Sequence, residues 1–281
     1  MLVQAIGLVN IVTGELPATW PANRIWARVL RCKSETAIKL KNHDDVERFA
    51  PLAIDLYTQV MADKPERTSE ALDSMASMHQ NLGTSKQQRG QFQQAFAEFE
   101  NEKQMMQQLM QRHPDVAGLS FNWSNHVHRY TQAMVEAGRW DEADQMITPH
   151  LDWLSQRQTK YPQLKQLLRI TEVECRGLMS QIDAQLDRAE DSLRQLEQAI
   201  AVCEEECQSD QAPKGLHAFL GNLYPRKAKQ MLAEDQSGSA IDLLNQAIDI
   251  LEPIVAENST GDSATYLRHA ESLLQEAQTK K

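Results

Sequence analysis

Prolines recur along the first part of this chain at a nearly constant spacing. Pro17, Pro65, Pro114 and Pro162 are separated by 48, 49 and 48 residues, and one more step of 48 reaches Asp210. A period of this length, sustained over several units, is typical of chains in which one supersecondary unit stacks on the next. The spacing therefore predicts a repeat array.

The segment 79–115 shows what one repeat contains. Gly83 allows close approach of a partner helix, and Gly90 can adopt the left-handed conformation that ends a helix. Apolar residues recur at helical spacing from Phe92 to Phe99. Pro114 then stops the second helix, because proline cannot continue the backbone hydrogen bonds. The pattern predicts a helix–turn–helix hairpin.

The next segment repeats this hairpin. Gly138 precedes Pro162 by 24 residues, which is also the distance from Gly90 to Pro114. Trp140 stands two residues after Gly138, where the first hairpin has a phenylalanine. The two segments are therefore predicted to be copies of one unit.

This hairpin resembles the tetratricopeptide repeat (TPR), in which paired helices stack along the chain. The period exceeds the ordinary repeat of about 34 residues by about 14, which lengthens each helix by about 10 Å. The resemblance implies an all-α, right-handed solenoid. More narrowly, Asn81-Leu82-Gly83, Gly90-Gln91-Phe92 and His113-Pro114-Asp115 are similar to elongated repeats in the C-terminal tails of bacterial serine/threonine protein kinases.

The amino-acid composition favours α-helix along the whole chain. Hydrophobic residues make up 41% of the 281 residues, and only 11 glycines and 10 prolines interrupt them. We expect an orphan helix of a partial repeat in 1–16, a repeat array in 17–258 and a capping helix in 259–281. The expected helices are 2–13, then the pairs 22–41 with 44–63, 67–88 with 91–112, 116–137 with 140–160, 163–185 with 188–208 and 214–234 with 238–257, and last 263–278.

Two later repeats depart from the pattern. Residues 164–208 keep the apolar stripe but have no glycine at the expected turn. In the following repeat, Pro225 falls inside the expected first helix, which predicts a kink there or a helix that begins there.

Charge and cysteine content restrict the partners and the compartment. The net charge of −10, with a pI near 5.3, argues against a nucleic-acid partner, which requires clustered basic residues. Four scattered cysteines favour reduced thiols and a cytoplasmic location. The apolar start, residues 1–12, is too short and too polar for membrane insertion.

No arrangement of residues predicts catalysis, a cofactor or a metal. The chain has no glycine-rich kinase loop, and His128-Arg129-Tyr130 lacks the catalytic aspartate. His126 and His128 are two residues apart and point to different faces of a helix, so with His150 they are not expected to bind a metal. Cys203 and Cys207 have helical spacing, and we expect them to continue an apolar stripe. The chain is not expected to be an enzyme.

The expected function is that of a protein–protein interaction scaffold that binds a peptide or protein partner. In similar repeats the first helix of each pair builds the inner groove, whose positions here are Ser77, Gln80, Thr84 and Gln87, then Asn125, His128, Gln132 and Val135. The alternative for each of these residues is that it is exposed to solvent and binds no partner. The alternative function is a non-catalytic C-terminal regulatory tail of a serine/threonine protein kinase.

The apolar surface at the N-terminal end is expected to be covered by another domain or another chain. Leu2, Ile6 and Val9 form an apolar stripe like that of a second helix whose first helix is missing. Terminal repeats normally have polar outer faces. We therefore expect an upstream domain, a partner or a second copy of the chain there. Deleting residues 1–16 should leave the remaining array folded and reduce self-association or attachment to that neighbour.

Overall fold

The structure, a computed structural model, describes residues 20–208, 213–257 and 262–279. Within these ranges the chain is all-α, with eleven α-helices and no strand, which confirms the predicted fold class. The helices are α1 (Trp20–Lys39), α2 (His43–Asp63), α3 (Thr68–Gln88), α4 (Phe92–Arg112), α5 (Ala117–Glu136), α6 (Trp140–Lys160), α7 (Lys165–Gln185), α8 (Ala189–Cys207), α9 (Lys214–Ala233), α10 (Ser237–Glu257) and α11 (Asp262–Thr279). The predicted helix at 2–13 lies outside the described residues.

The helices begin at regular intervals along the sequence. The first helices of the hairpins, α1, α3, α5, α7 and α9, begin 48 or 49 residues apart, and so do the second helices, α2 to α10. The residue before Pro65, Pro114 and Pro162 closes a second helix: the N–H groups of Lys64, His113 and Tyr161 each donate to a carbonyl four residues earlier, at 2.9 Å. These three prolines therefore mark the ends of hairpins, as the sequence predicts, and Pro17 lies outside the described residues.

Every hairpin turns through one residue in the left-handed conformation. The φ angles are +55° at Lys41, +72° at Gly90, +73° at Gly138, +58° at Asp187 and +59° at Asp235. The predicted role of Gly90 is confirmed. In the fourth hairpin an aspartate takes the place of the missing glycine, because short polar side chains tolerate this conformation better than most.

One backbone hydrogen bond locks each of these turns. The residue after the turn donates to a carbonyl five residues earlier, as from Gln91 to Lys86 and from Arg188 to Asp183, both at 2.8 Å. This bond satisfies a carbonyl that the helix end leaves without a partner.

Pro225 lies inside α9 and does not begin it. The helix runs from Lys214 to Ala233, so the expectation of a helix start at Pro225 is wrong. Proline removes one backbone hydrogen bond from a helix. The neighbouring Leu223 and Tyr224 are buried in the core, and we infer that their packing maintains the helix through this position.

The first compact unit is Met1–Leu119, of which residues 20–119 are described. It contains the hairpins α1–α2 and α3–α4, and α3 packs against both helices of the preceding hairpin. Small residues such as Ala37, Ala50 and Ala53 allow the helices to pack closely around Met78 and Leu82.

The second compact unit is Ser120–Lys281. It contains all but the first three residues of α5, and then α6 to α11. One core runs through α7 to α11 around Leu196, Leu223 and Leu244. The last helix, α11, packs on α9 and α10 through Ala270, Leu273 and Ala277, while its opposite side is exposed. The division predicted from the sequence, with an N-terminal partial repeat and a C-terminal cap, stays a prediction.

Candidate functional site

The predicted groove residues of the first unit lie on one side of α3. Ser77, Gln80, Thr84 and Gln87 are all half-buried, whereas the alternating core positions of the same helix are fully buried. Helical spacing of three, four and three residues keeps the four side chains in one row. They are therefore brought together within this unit.

Charged residues beside this row in the first unit are paired. Arg24 of α1 bonds Glu70 of α3 at 2.8 Å. Arg31 donates to the Ser74 hydroxyl at 3.1 Å, and its Nε lies 3.4 Å from Glu35. The contacts of Arg24 and Arg31 with α3 join α1 to α3.

The predicted groove residues of the second unit lie on α5. Asn125, His128 and Gln132 are half-buried, and the Gln132 amide donates to the Glu136 carboxylate at 3.0 Å. Val135 differs, because it is buried and belongs to the core. The row in this unit is therefore shorter than the sequence predicts.

His128 faces Glu174 of α7. Its Nδ1 lies 4.0 Å from a Glu174 carboxylate oxygen, and the two side chains are 21% and 35% exposed. Burial, with a smaller effect of the Arg129 charge, lowers the pKa of His128 to about 4. Burial also raises the pKa of Glu174. His128 is thus neutral at pH 7, so this contact is not an ion pair under those conditions.

Gly177 occupies in α7 the groove position that Gln80 and His128 occupy in earlier repeats, ten residues before the turn. A side chain from the next repeat lies in the space left open: Arg226 of α9 donates from Nη2 to the Gly177 carbonyl at 2.7 Å. A Cβ built on Gly177 would lie 3.3 Å from Cζ of Phe219 and 3.4 Å from Nη1 of Arg226, so both side chains of α9 use this space. Sequence reasoning missed the pair of Gly177 and Arg226, although a glycine inside a helical pattern signals close approach of another group.

Tyr266 adds a fourth helix to this surface. Burial is the main cause that raises the pKa of Tyr266, and the charges of Asp262 and Glu174 raise it further. The charge of Arg226 lowers this pKa. The tyrosine of α11 therefore lies within electrostatic reach of both Arg226 and Glu174. The second unit thus has a His128–Glu174 contact between α5 and α7, and an Arg226–Tyr266 neighbourhood between α9 and α11.

The candidate histidines His126 and His150 have separate partners in the second unit. His126 is fully buried, with its ring centroid 5.5 Å from that of Trp123 and 5.8 Å from that of Tyr130. His150 bonds the Ser124 hydroxyl through Nε2 at 3.0 Å. Within the described ranges, no three His, Cys, Asp or Glu side chains are grouped closely enough to hold a metal ion.

Cys203 and Cys207 line the interior of the second unit. Cys203 is fully buried in the core, and Cys207 packs against the same cluster. Burial raises the pKa of the Cys203 thiol, and the nearby Cys207 adds to this shift. A thiol of this kind is a poor nucleophile, because the reactive species is the thiolate. Both residues continue the apolar stripe, as expected.

These features define an all-α protein built of TPR-like helical hairpins with elongated helices. In the comparison with solved structures, the fold is similar to that of BtubC (BKLC) from P. vanneervenii, with a TM-score of 0.53 and 13% identity over 83% of this chain and 90% of that one. This likeness supports the fold alone.

Two yeast structures also match at lower TM-scores. One is the TPR2AB domain of Sti1 in complex with pHSP90, at a TM-score of 0.29 and 13% identity over 90% of this chain and 98% of that one. The other is Tom70, at 0.26 and 14% identity over 89% of this chain and 55% of that one. No protein-family model and no curated protein matches the chain. The resemblance to kinase tails stays a prediction.

None of the helices in the described part of the chain is both long enough and apolar enough to cross a bilayer.

Proposed function

We propose that this protein is an interaction scaffold that binds a peptide or protein segment along the groove positions of its first helices. The observation that carries the proposal is the row of half-buried polar side chains on α3, and the similar row on α5. Gln80 and Asn125 have amides that both donate and accept hydrogen bonds, as an extended peptide backbone requires. A partner's main chain would satisfy these groups at little cost in desolvation.

Each unit offers its own binding row. In the first unit the row consists of Gln80, Thr84 and Gln87, and neighbouring charges are already paired. In the second unit it consists of Asn125, His128 and Gln132, and it continues toward Glu174. We expect segments bound by the first unit to be recognised mainly through neutral hydrogen bonds.

The test begins with peptide selection. Random 12-residue peptides displayed on phage are selected on the immobilised full chain, and the strongest binders are synthesised. Their dissociation constants are then measured by fluorescence anisotropy against the wild-type chain and two double variants. We expect Q80A/T84A or N125A/Q132A to weaken binding about 5-fold or more, since each lost hydrogen bond contributes about 1 kcal/mol.

A matched control uses glutamines outside the rows. Gln107 and Gln108 are exposed on α4, and Q107A/Q108A should leave the dissociation constants unchanged. Binding that survives both groove variants, or falls equally with the control, would contradict the proposal.

A further inference from the structure

Arg226 is held in place but not neutralised. It is half-buried, and its one hydrogen bond to the described residues goes to the Gly177 carbonyl, a neutral group. Across residues 20–208, 213–257 and 262–279, no carboxylate lies within 4.0 Å of its guanidinium. A buried charge without a counter-ion is costly. Such a group is commonly completed by an anionic ligand.

The neighbours of Arg226 do not provide that charge. Burial lowers the pKa of Arg226 to about 10, with Tyr266 acting in the opposite direction, so at pH 7 the guanidinium is charged and the tyrosine is neutral. Glu174 of α7 also acts electrostatically on Tyr266, but its carboxylate faces His128. The guanidinium therefore keeps donor groups for a ligand.

The charge distribution of the second unit points to the same ligand class. Helix α9, which carries Arg226, contains four basic residues and no acidic residue. The second helices α6, α8 and α10 together contain 14 acidic and 3 basic residues. Lys227 of α9 is paired with Glu197 of α8 at 3.0 Å, whereas Arg226 has no such partner among the described residues, so an anionic group is repelled by the acidic helices and attracted to Arg226.

We propose that Arg226 anchors a subsite of the second unit that binds the side-chain carboxylate of an aspartate or glutamate in a bound peptide segment. The inference rests on the proposed function. Arginine suits this role because its planar guanidinium can donate two parallel hydrogen bonds to one carboxylate. The missing side chain at Gly177 leaves room for the guanidinium beside the Phe219 ring, and the Gly177 carbonyl fixes its orientation.

The test uses the selected peptides, synthesised with amidated C-termini so that side chains supply the only carboxylates. We expect peptides bound by the second unit to share one fixed acidic position. Changing that residue to its amide should weaken binding to the wild-type chain about 10-fold, in line with a charged hydrogen bond. In the Arg226→Gln variant, changing the acidic residue of the peptide to its amide should not weaken binding any further.

Two further variants separate the local contact from general electrostatics. Arg268→Gln removes the same charge from α11, where Arg268 is exposed and bonds only to its own helix, and should leave binding unchanged. Arg226→Lys keeps the charge without the planar pair of donors, and should weaken binding of acidic peptides less than Arg226→Gln does. Circular dichroism during thermal unfolding checks that each variant is folded. Arg226→Lys tests the proposal even if Arg226→Gln does not fold.

The outcomes distinguish this inference from the proposed function. Selected peptides without a fixed acidic residue, or acidic peptides bound equally by Arg226→Gln, would overturn the Arg226 subsite and leave the scaffold function standing. Binding only by peptides with a free C-terminal carboxylate would also overturn it. If no peptide binds the wild-type chain at all, both proposals fail.

Discussion

The ring of Phe99 fills the space that a side chain on Gly83 would need. A Cβ built on Gly83 would lie 2.6 Å from Cε1 of Phe99, and Phe99 is fully buried. The contact fixes how closely α4 packs on α3. The predicted role of Gly83, close approach of a partner helix, thus has a specific partner.

Gly83→Ala should therefore destabilise the first unit. The ring cannot move aside in a packed core, so either helix must shift, at a cost of about 1–3 kcal/mol in the free energy of unfolding. Urea denaturation measures this change. Gly238→Ala in α10 is the control, since nothing lies within 4 Å of its new Cβ, and it should be neutral or slightly stabilising. Similar effects of the two substitutions would contradict the packing described.

Gly90→Val should destabilise the same unit through the backbone. At a φ of +72°, a β-branched side chain collides with the backbone, which costs about 1–2 kcal/mol. Gln91→Val is the matched control, because Gln91 has a φ of −86° that valine accepts. Chemical denaturation should show a larger loss for Gly90→Val. Equal losses would mean that the turn tolerates a side chain at position 90.

Lys41→Gly should have the opposite effect. Lys41 holds the left-handed turn position of the first hairpin with a φ of +55° and is exposed, so glycine removes strain without removing buried contacts. The greater entropy of glycine in the unfolded chain offsets part of the gain, leaving a net stabilisation of about 0.5–1 kcal/mol. A lower midpoint of urea denaturation than in the wild type would contradict this expectation.

The second unit should lose stability as the pH falls below about 6.5. Burial, aided by the charges of His126 and His128, lowers the pKa of His150 to about 3. The unfolded chain then takes up a proton that the folded chain does not, so the stabilisation is complete above pH 6.5 and is lost toward pH 3. For His150 alone the loss between pH 7.5 and pH 5 is about 2 kcal/mol.

His150→Gln isolates this contribution. The variant should show a smaller decrease in the free energy of unfolding between pH 7.5 and pH 5 than the wild type, by about 2 kcal/mol. Glu174 has a raised pKa, and its contribution to the pH dependence has the opposite sign but is common to both proteins. His269→Gln removes an exposed histidine and should not alter the pH dependence. An unchanged pH dependence in His150→Gln would contradict the assignment.

Periodicity predicted the hairpins because each repeat must bury the same stripe. The predicted pair 67–88 with 91–112, for example, is observed as Thr68–Gln88 with Phe92–Arg112. The predicted pair 163–185 with 188–208 places a turn at 186–187, but the left-handed residue in it was not predicted, because the φ of +58° arises at an aspartate and not at a glycine. The Arg226 contact was also missed, since it joins residues 49 positions apart and depends on packing between repeats.

The unequal distribution of charge along the second unit has a consequence for the speed of binding. With most carboxylates on α6, α8 and α10 and none on α9, the unit has an electric dipole that orients an approaching acidic peptide before contact. Added salt shortens the range of this force, to a Debye length of about 8 Å at 0.15 M. Association rates of acidic peptides should then depend on ionic strength more strongly than those of neutral peptides, while dissociation rates change little.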